Sequence, residues 1–259
     1  MSMPQITDHA PHTLFWVDLA SPDIAAATRF YGQLFGWEAQ QVAGPEMGSY
    51  TNFTLSGKNV AGVVSLMAPG QPTAWNVYMA TDNIDRIAQS VRTAGGAVMM
   101  EPDDIPNAGR MGFFSDPHGA AFGVMQPREH TGAGVVKEAN AFVWAELQSR
   151  DVADVTPFYQ QVFGWDAKSS PIGPGQLEYT EWMLSGESIG GAMPMQPDMP
   201  AAHWLVYFQV ENTDRSAARI TQLGGAVLVA PMDFPGGRFA VVSDPHGATF
   251  GITTSSSVS

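Results

Sequence analysis

The chain has 259 residues, 44% of them hydrophobic and 14% charged, so it is long enough for two domains and too apolar to stay unfolded. Acidic residues outnumber basic ones by 25 to 12, and the formal net charge of −13 argues against nucleic acid and anionic membrane as partners. With no cysteine, disulfides, thiolate metal sites and cysteine nucleophiles are excluded.

Met1 to Thr13 has neither the basic region nor the apolar region of a signal peptide, and no apolar run approaches ~18 residues, so a cytoplasmic location is expected. Thr13 to Leu19 alternates and is rich in bulky residues, which predicts a strand. Ser21-Pro22-Asp23 opens a helix over Ala25 to Leu34, and Gly36 ends it. Tyr50 to Leu55 and Val60 to Met67 read as strands turned at Ser56-Gly57. The order then restarts. Trp75 to Ala80 is a strand, Asn83 to Thr93 a helix capped by Gly95-Gly96, and Val98 to Glu101, Met111 to Ser115 and Ala121 to Met125 are strands.

The second half repeats the first. Phe15-Trp16-Val17-Asp18-Leu19 returns as Val143-Trp144-Ala145-Glu146-Leu147, Phe30-Tyr31 as Phe158-Tyr159, and Phe35-Gly36-Trp37 as Phe163-Gly164-Trp165. Ser115-Asp116-Pro117-His118-Gly119-Ala120 returns as Ser243-Asp244-Pro245-His246-Gly247-Ala248. Residues 1–128 therefore form one domain and 140–254 another. A Gly-rich, charged linker (129–139) joins them and a Ser-rich tail (255–259) follows. The fold class is α+β, built from four βαβββ modules.

This order, with Phe-Tyr on the first helix and Asp-Pro-x-Gly before the last strand, resembles the vicinal oxygen chelate superfamily of glyoxalases, bleomycin-resistance proteins and extradiol dioxygenases. Trp-x-Asp/Glu-Leu on the first strand resembles tandem actinobacterial glyoxalase-like proteins, some of them labelled hydroxylases. The resemblance implies two domains whose mixed sheets curl around clefts. It also implies a metal held by His, Gln or Glu from the first strand of each module and by a Glu on the last. Those positions fall here on Trp16 and Trp144, near Asn76 and Leu205, and on Gly123 and Gly251, none of them a good ligand. No metal and no cofactor are therefore expected.

The residues themselves point to an apolar cleft. Asp18 and Glu146 share strand parity with Trp16 and Trp144, and Tyr78 and Tyr207 with Asn76 and Leu205, so all should face inward. Asp18 and Glu146 are the candidate acid/base residues, because a buried carboxyl has a raised pKa. Hydrogen bonding to a neighbouring strand or an Arg is the structural alternative for them. Trp16, Trp144, Asn76, Tyr78 and Tyr207 are candidate ligand contacts. Gly123 and Gly251 should leave room for a ligand ring, and Arg110 and Arg238 lie in matched loops beside it. Met47, Met193, Met195, Met199 and Met232 would give loops an adaptable apolar surface. Trp37 and Trp165 read as core, and His118 and His246 as turn residues. The leading function is a glyoxalase- or bleomycin-resistance-like protein that binds a small hydrophobic or aromatic metabolite in a metal-free cleft. Acid/base chemistry on that metabolite is open, as is a homodimer. The alternatives are a metal-dependent glyoxalase or dioxygenase and a non-catalytic scaffold.

Overall fold

The computed structural model describes residues 9–42, 50–172, 177–197, 199 and 201–255. The first domain runs β1 (Leu14–Ser21), α1 (Ile24–Phe35), β2 (Glu38–Gln41), β3 (Thr51–Leu55) and β4 (Lys58–Ser65). It continues with β5 (Ala74–Ala80), α2 (Ile84–Thr93), β6 (Ala97–Ile105), β7 (Gly109–Ser115) and β8 (Ala121–Pro127). The second domain repeats this as β9 (Phe142–Ser149), α3 (Val152–Phe163), β10 (Asp166–Ile172), β11 (Leu177–Leu184) and β12 (Glu187–Pro194). Its second module is β13 (His203–Gln209), α4 (Thr213–Gln222), β14 (Ala226–Phe234), β15 (Gly237–Ser243) and β16 (Thr249–Ser255).

Each domain is one curled, mixed sheet of eight strands, ordered β2-β3-β4-β1-β5-β8-β7-β6 and β10-β11-β12-β9-β13-β16-β15-β14. The two modules of each half pair with each other, through antiparallel β1–β5 and β9–β13. Sequence reading did not name β2. Its residues Glu38 to Gln41 are all exposed and carry no apolar alternation. β6 outruns the expected Val98–Glu101; Pro102, like Pro231 in β14, falls where the register shifts, on an edge strand that tolerates a missing N–H. Met193 and Met232 lie on β12 and β14 rather than in loops, and Met47 lies outside the described residues.

The helices start and stop on local chemistry. Asp23 and Asp151 cap α1 and α3 by accepting a backbone N–H, as Asn83 and Asn212 do for α2 and α4. Gly36 and Gly164 close α1 and α3 in the left-handed conformation. One face of each sheet packs on the helices, and a single apolar core built there runs through both domains, from Val17, Leu19 and Phe35 to Leu147, Phe163 and Phe208.

The repeated motifs turn out to lock the two domains together. The Asp116 carboxylate accepts the N–H groups of His118 and Ala120 in its own turn, and the hydroxyl of Tyr159 from the other domain at 3.0 Å. Asp244 does the same with His246, Ala248 and Tyr31, the last at 3.2 Å. Trp37 donates its indole N–H to the Asn140 carbonyl at 2.7 Å, and Trp165 donates to that of His12 at 2.8 Å. His118 adds Ser149 and Asp154 across the seam. Because a buried acceptor stripped of its donor costs about 1–3 kcal/mol, Tyr31→Phe and Tyr159→Phe should each lose that much in urea unfolding, with the fold intact. A loss below ~0.5 kcal/mol for both would mean the clamps carry nothing.

Candidate functional site

The other face of each sheet forms a bowl with a carboxylate on its central strand. In the first domain Trp16 lies opposite Tyr78, Asp18 opposite Asn76, and Tyr78 opposite Gly123. Directly opposed residues share a face, so Trp16, Asp18, Asn76, Tyr78 and Gly123 all face the bowl. Asp18 is buried and meets three donors: Asn76 Nδ2 at 2.9 Å, Tyr78 Oη at 2.9 Å and Tyr50 Oη at 3.2 Å. Trp16 donates in turn to the Tyr50 oxygen at 2.8 Å. Burial raises the Asp18 pKa and the three hydrogen bonds pull it back down, leaving it above the ordinary value.

The second domain keeps the plan with one exchange. Trp144 donates to Tyr179 Oη at 2.8 Å, and Tyr207 Oη donates to Glu146 Oε1 at 3.3 Å. Leu205 stands where Asn76 stood and has no donor to give. The missing amide comes instead from Gln148, two residues along the same strand as Glu146, where the first domain has Ala20. Burial pushes the Glu146 carboxyl up to about 7, against opposing hydrogen bonds from Tyr179, Tyr207 and Gln148. Both tyrosines are themselves pushed above their ordinary value by burial and by Glu146, so they stay neutral.

Two expectations need correction. Gly123 and Gly251 leave no room for a ligand ring, because a Cβ on either would come within 2.1 and 2.0 Å of the ring of Tyr78 or Tyr207. The glycines make space for the protein's own tyrosines. Gly62 and Gly191 do the same for Tyr50 and Tyr179. Arg110 and Arg238 are not beside the bowl at all. They share strand parity with the core residues Phe114 and Ala240 and so lie on the helix-facing side. There they pair with Asp85 on α2 and Asp214 on α4.

The two bowls differ in what covers them. In the first, Phe15, Trp16, Tyr78, Ala80, Met125 and Ala133 form a second apolar cluster, with Met111, Phe113 and Val136 against it. Ala133 belongs to the segment joining the domains. That segment is pinned by Ala133 N–H to the Phe15 carbonyl at 3.1 Å and by Gly134 N–H to that of Asn59 at 2.8 Å. His130, held neutral with a pKa lowered to about 4 by burial, stands edge-on to Trp16 at 4.7 Å. Nothing equivalent covers the second bowl among the described residues. Its row Trp144–Tyr207–Gly251–Val241–Val229 crosses the sheet, with Phe239 opposite Met232 in the next row. Val229 (39%), Met232 (48%) and Phe234 (41%) are exposed there, and Trp144 and Tyr179 are half-buried. Sequence reading missed Tyr50, Tyr179, Gln148 and this apolar wall. The usable signal was that Tyr50 and Tyr179, and Gly62 and Gly191, recur at matched places in the two halves.

A divalent cation of the kind the resemblance implies would need several anionic or imidazole ligands in each bowl. Among the described residues no group of three His, Asp or Glu could hold one. The central carboxylate of each bowl is already met by hydrogen-bond donors, and the second bowl adds only Glu181, opposite Gly191. The residues present do not fit such a group. Among those residues, too, no helix is long and apolar enough to cross a membrane.

Comparison with known proteins gives the same architecture. The family model described as Glyoxalase/Bleomycin resistance protein/Dioxygenase superfamily matches residues 12–124, and a Glyoxalase-like domain matches 144–253. A protein of Mycobacterium tuberculosis named "Putative glyoxylase CFP32" is 40% identical over 257 residues, covering 96% of this chain and 97% of that one. The anthracycline biosynthesis protein DauV of a Streptomyces species is 36% identical over 264 residues, covering 95% and 94%. Among solved structures, the Mn(II)-bound glyoxalase of Novosphingobium aromaticivorans matches with a TM-score of 0.65 at 19% identity, over 96% of this chain and 82% of that one. The 2,3-dioxygenase LapB of a Pseudomonas species matches with a TM-score of 0.65 at 11% identity, over 95% and 93%. At those identities the structures speak for the fold alone.

The Glu146 environment makes stability depend on pH. Below the ordinary value of 4.5 the carboxyl is protonated folded or unfolded, and the fold keeps its full stability. Between 4.5 and about 7 only the unfolded chain ionises, so stability falls as pH rises, by roughly 3 kcal/mol in all, and then levels off. Chemical unfolding of the wild type minus Glu146→Gln should show this slope across that window. Parallel curves would show that the carboxyl is not held protonated. Gly251→Ala should displace the Tyr207 ring and remove a hydrogen bond that holds the Glu146 pKa down, so the fall in stability should extend to higher pH, and an unaltered window would mean that the ring has not moved.

Proposed function

The chain belongs to the Glyoxalase/Bleomycin resistance protein/Dioxygenase superfamily, and from that premise we propose that it binds a hydrophobic, ring-bearing small molecule on the open face of its second domain. It does so without a resident cation, and Glu146 is the group able to exchange a proton with what is bound. The observation that carries this reading is the contrast between the bowls. Tyrosines fill the centre of both, but the first is roofed by the connecting segment, whereas the second leaves Val229, Met232 and Phe234 exposed on β14, the strand that ends the sheet, on the face that also carries half-buried Trp144 and Tyr179. Exposed apolar side chains with a few convergent polar groups are the usual makings of a small-molecule site.

Aromatic rings at Trp144, Tyr207, Phe234 and Phe239 favour a flat partner, since stacked and edge-on ring pairs add about 0.5–1.5 kcal/mol beyond burial. A relative named as an anthracycline biosynthesis protein supports a small-molecule role for this reading. In the first bowl Asp18 serves as a structural acceptor for Tyr50, Tyr78 and Asn76.

Titration calorimetry with menadione, a neutral naphthoquinone that finds no cysteine to alkylate, should give one site per chain. Met232→Asp and Phe234→Ala, both on exposed side chains, should weaken it about tenfold, or ~1.4 kcal/mol. Two sites per chain would overturn the assignment to the second bowl. Binding or turnover that appears only with added Mn²⁺, Ni²⁺, Zn²⁺ or Fe²⁺ would favour the metal-dependent reading. No binding by any planar probe would leave the scaffold.

A further inference from the structure

This inference rests on the second bowl being the binding face, and concerns which residue there meets the ligand's polar atoms. The Tyr179 oxygen accepts the indole N–H of Trp144, which fixes its place, and lies over Gly191, the residue opposite Glu146, so its hydroxyl stands beside the carboxyl. An ionised Glu146 only accepts, and Tyr179, Tyr207 and Gln148 supply its donors. A protonated Glu146 must itself donate, so one of its neighbours has to turn. Tyr207 is buried, packed over Gly251 and against Phe239. Tyr179 is only half-buried, at the side of the bowl carrying Trp144. A phenol oxygen has two acceptor positions, so Tyr179 can take the Trp144 N–H and the Glu146 O–H together and send its own proton outward.

We propose that Tyr179 is the hydrogen-bond donor presented to the bound molecule, and that Glu146 acts as its positioning residue by accepting its proton when ionised and turning it outward when protonated. The ligand class is therefore a flat ring system carrying a carbonyl oxygen, an acceptor without a proton of its own. The Glu146 carboxyl, raised to about 7 by burial, changes state near neutrality. The titratable groups on its face are Tyr179 from β11 and Tyr207 from β13, both kept neutral by burial, and Glu181 from β11, one strand beyond Gly191 in the same row. Gln148 on its own strand is uncharged, Glu181 acts on Tyr179 in the same direction as Glu146, and no cation is among the groups acting on Glu146. Trp144 holds the phenol oxygen in either state, which gives the indole a role beyond surface area.

Two measurements on the full chain test this. Menadione should bind about tenfold more tightly at pH 6 than at pH 8, as the competent fraction changes, while methylnaphthalene, which lacks the oxygens, should bind equally at both. Tyr179→Phe should abolish the pH dependence, and Glu146→Gln should keep binding but flatten it. In the ligand-free protein, infrared difference spectra across the same range should lose a carboxylic-acid C=O band, absent in Glu146→Gln. With it a tyrosine C–O band should shift, and that shift should be absent in Tyr179→Phe. A pH dependence that survives in Tyr179→Phe, or that methylnaphthalene shares, overturns the proposal. So does one lost in Gln148→Met with Tyr179→Phe unaffected, since the amide would then have turned instead. If neither probe binds at any pH, the binding face is wrong. The infrared result alone then decides the Tyr179–Glu146 coupling, and a tyrosine band that stays still while the carboxyl titrates overturns it.

Discussion

A carboxylate on the central strand of each sheet, out of reach of water and answered only by neutral donors, organises both bowls. Taking such a group from water without partners costs several kcal/mol, so its surroundings must supply hydrogen bonds or protonate it. Here they do both. Two tyrosines and an amide converge on Asp18 and on Glu146, and the rings reach them only because glycine occupies the neighbouring strand positions: Gly62 and Gly123, Gly191 and Gly251. The glycines and the acids are one device. A side chain at any of the four would displace a ring and strip the carboxyl of a donor.

From that shared device the halves have diverged by small steps. Replacing an amide on the adjacent strand (Asn76) by Leu205, and restoring it from the acid's own strand (Gln148), keeps the donor but changes its direction. The longer Glu146 side chain is consistent with reaching Gln148 and Tyr207 together. Among the described residues only the first bowl has a chain segment lying across it, and that segment also connects the domains. The connection thus covers the face of the first domain, while the second keeps Val229, Met232 and Phe234 exposed.

The repeated motifs have a different duty. Phe-Tyr, Phe-Gly-Trp and Asp-Pro-His-Gly sit on the helix side, where each domain's tyrosine and tryptophan are answered by the other domain's turn and chain. The reciprocity follows from duplication. Two copies of one unit, packed helix side to helix side, place each copy's donor against the other's acceptor. The Asp-Pro-His-Gly turn is therefore both a local cap, with Gly119 and Gly247 at positive φ, and half of a clamp.

Much of this was readable from the chain. The repeat fixed the domains' likeness, strand parity put Trp16, Asp18, Asn76 and Tyr78 on one face, and Asp and Asn caps marked the helix starts, because each of these depends on neighbours a few residues away. Arg110 and Arg238 were misplaced because matched position in a repeat says nothing of which face a strand residue takes. Gly123 and Gly251 were misread because a glycine looks like empty space until the ring above it is seen. Tyr50 and Tyr179 were missed since each reaches its acid from a strand that is not the acid's neighbour. Sequence determined the period, the elements and the inward residues through local sterics and pattern. Tertiary structure alone decided which bowl stays open and which hydroxyl meets which carboxylate, because those depend on contacts between residues far apart in the chain.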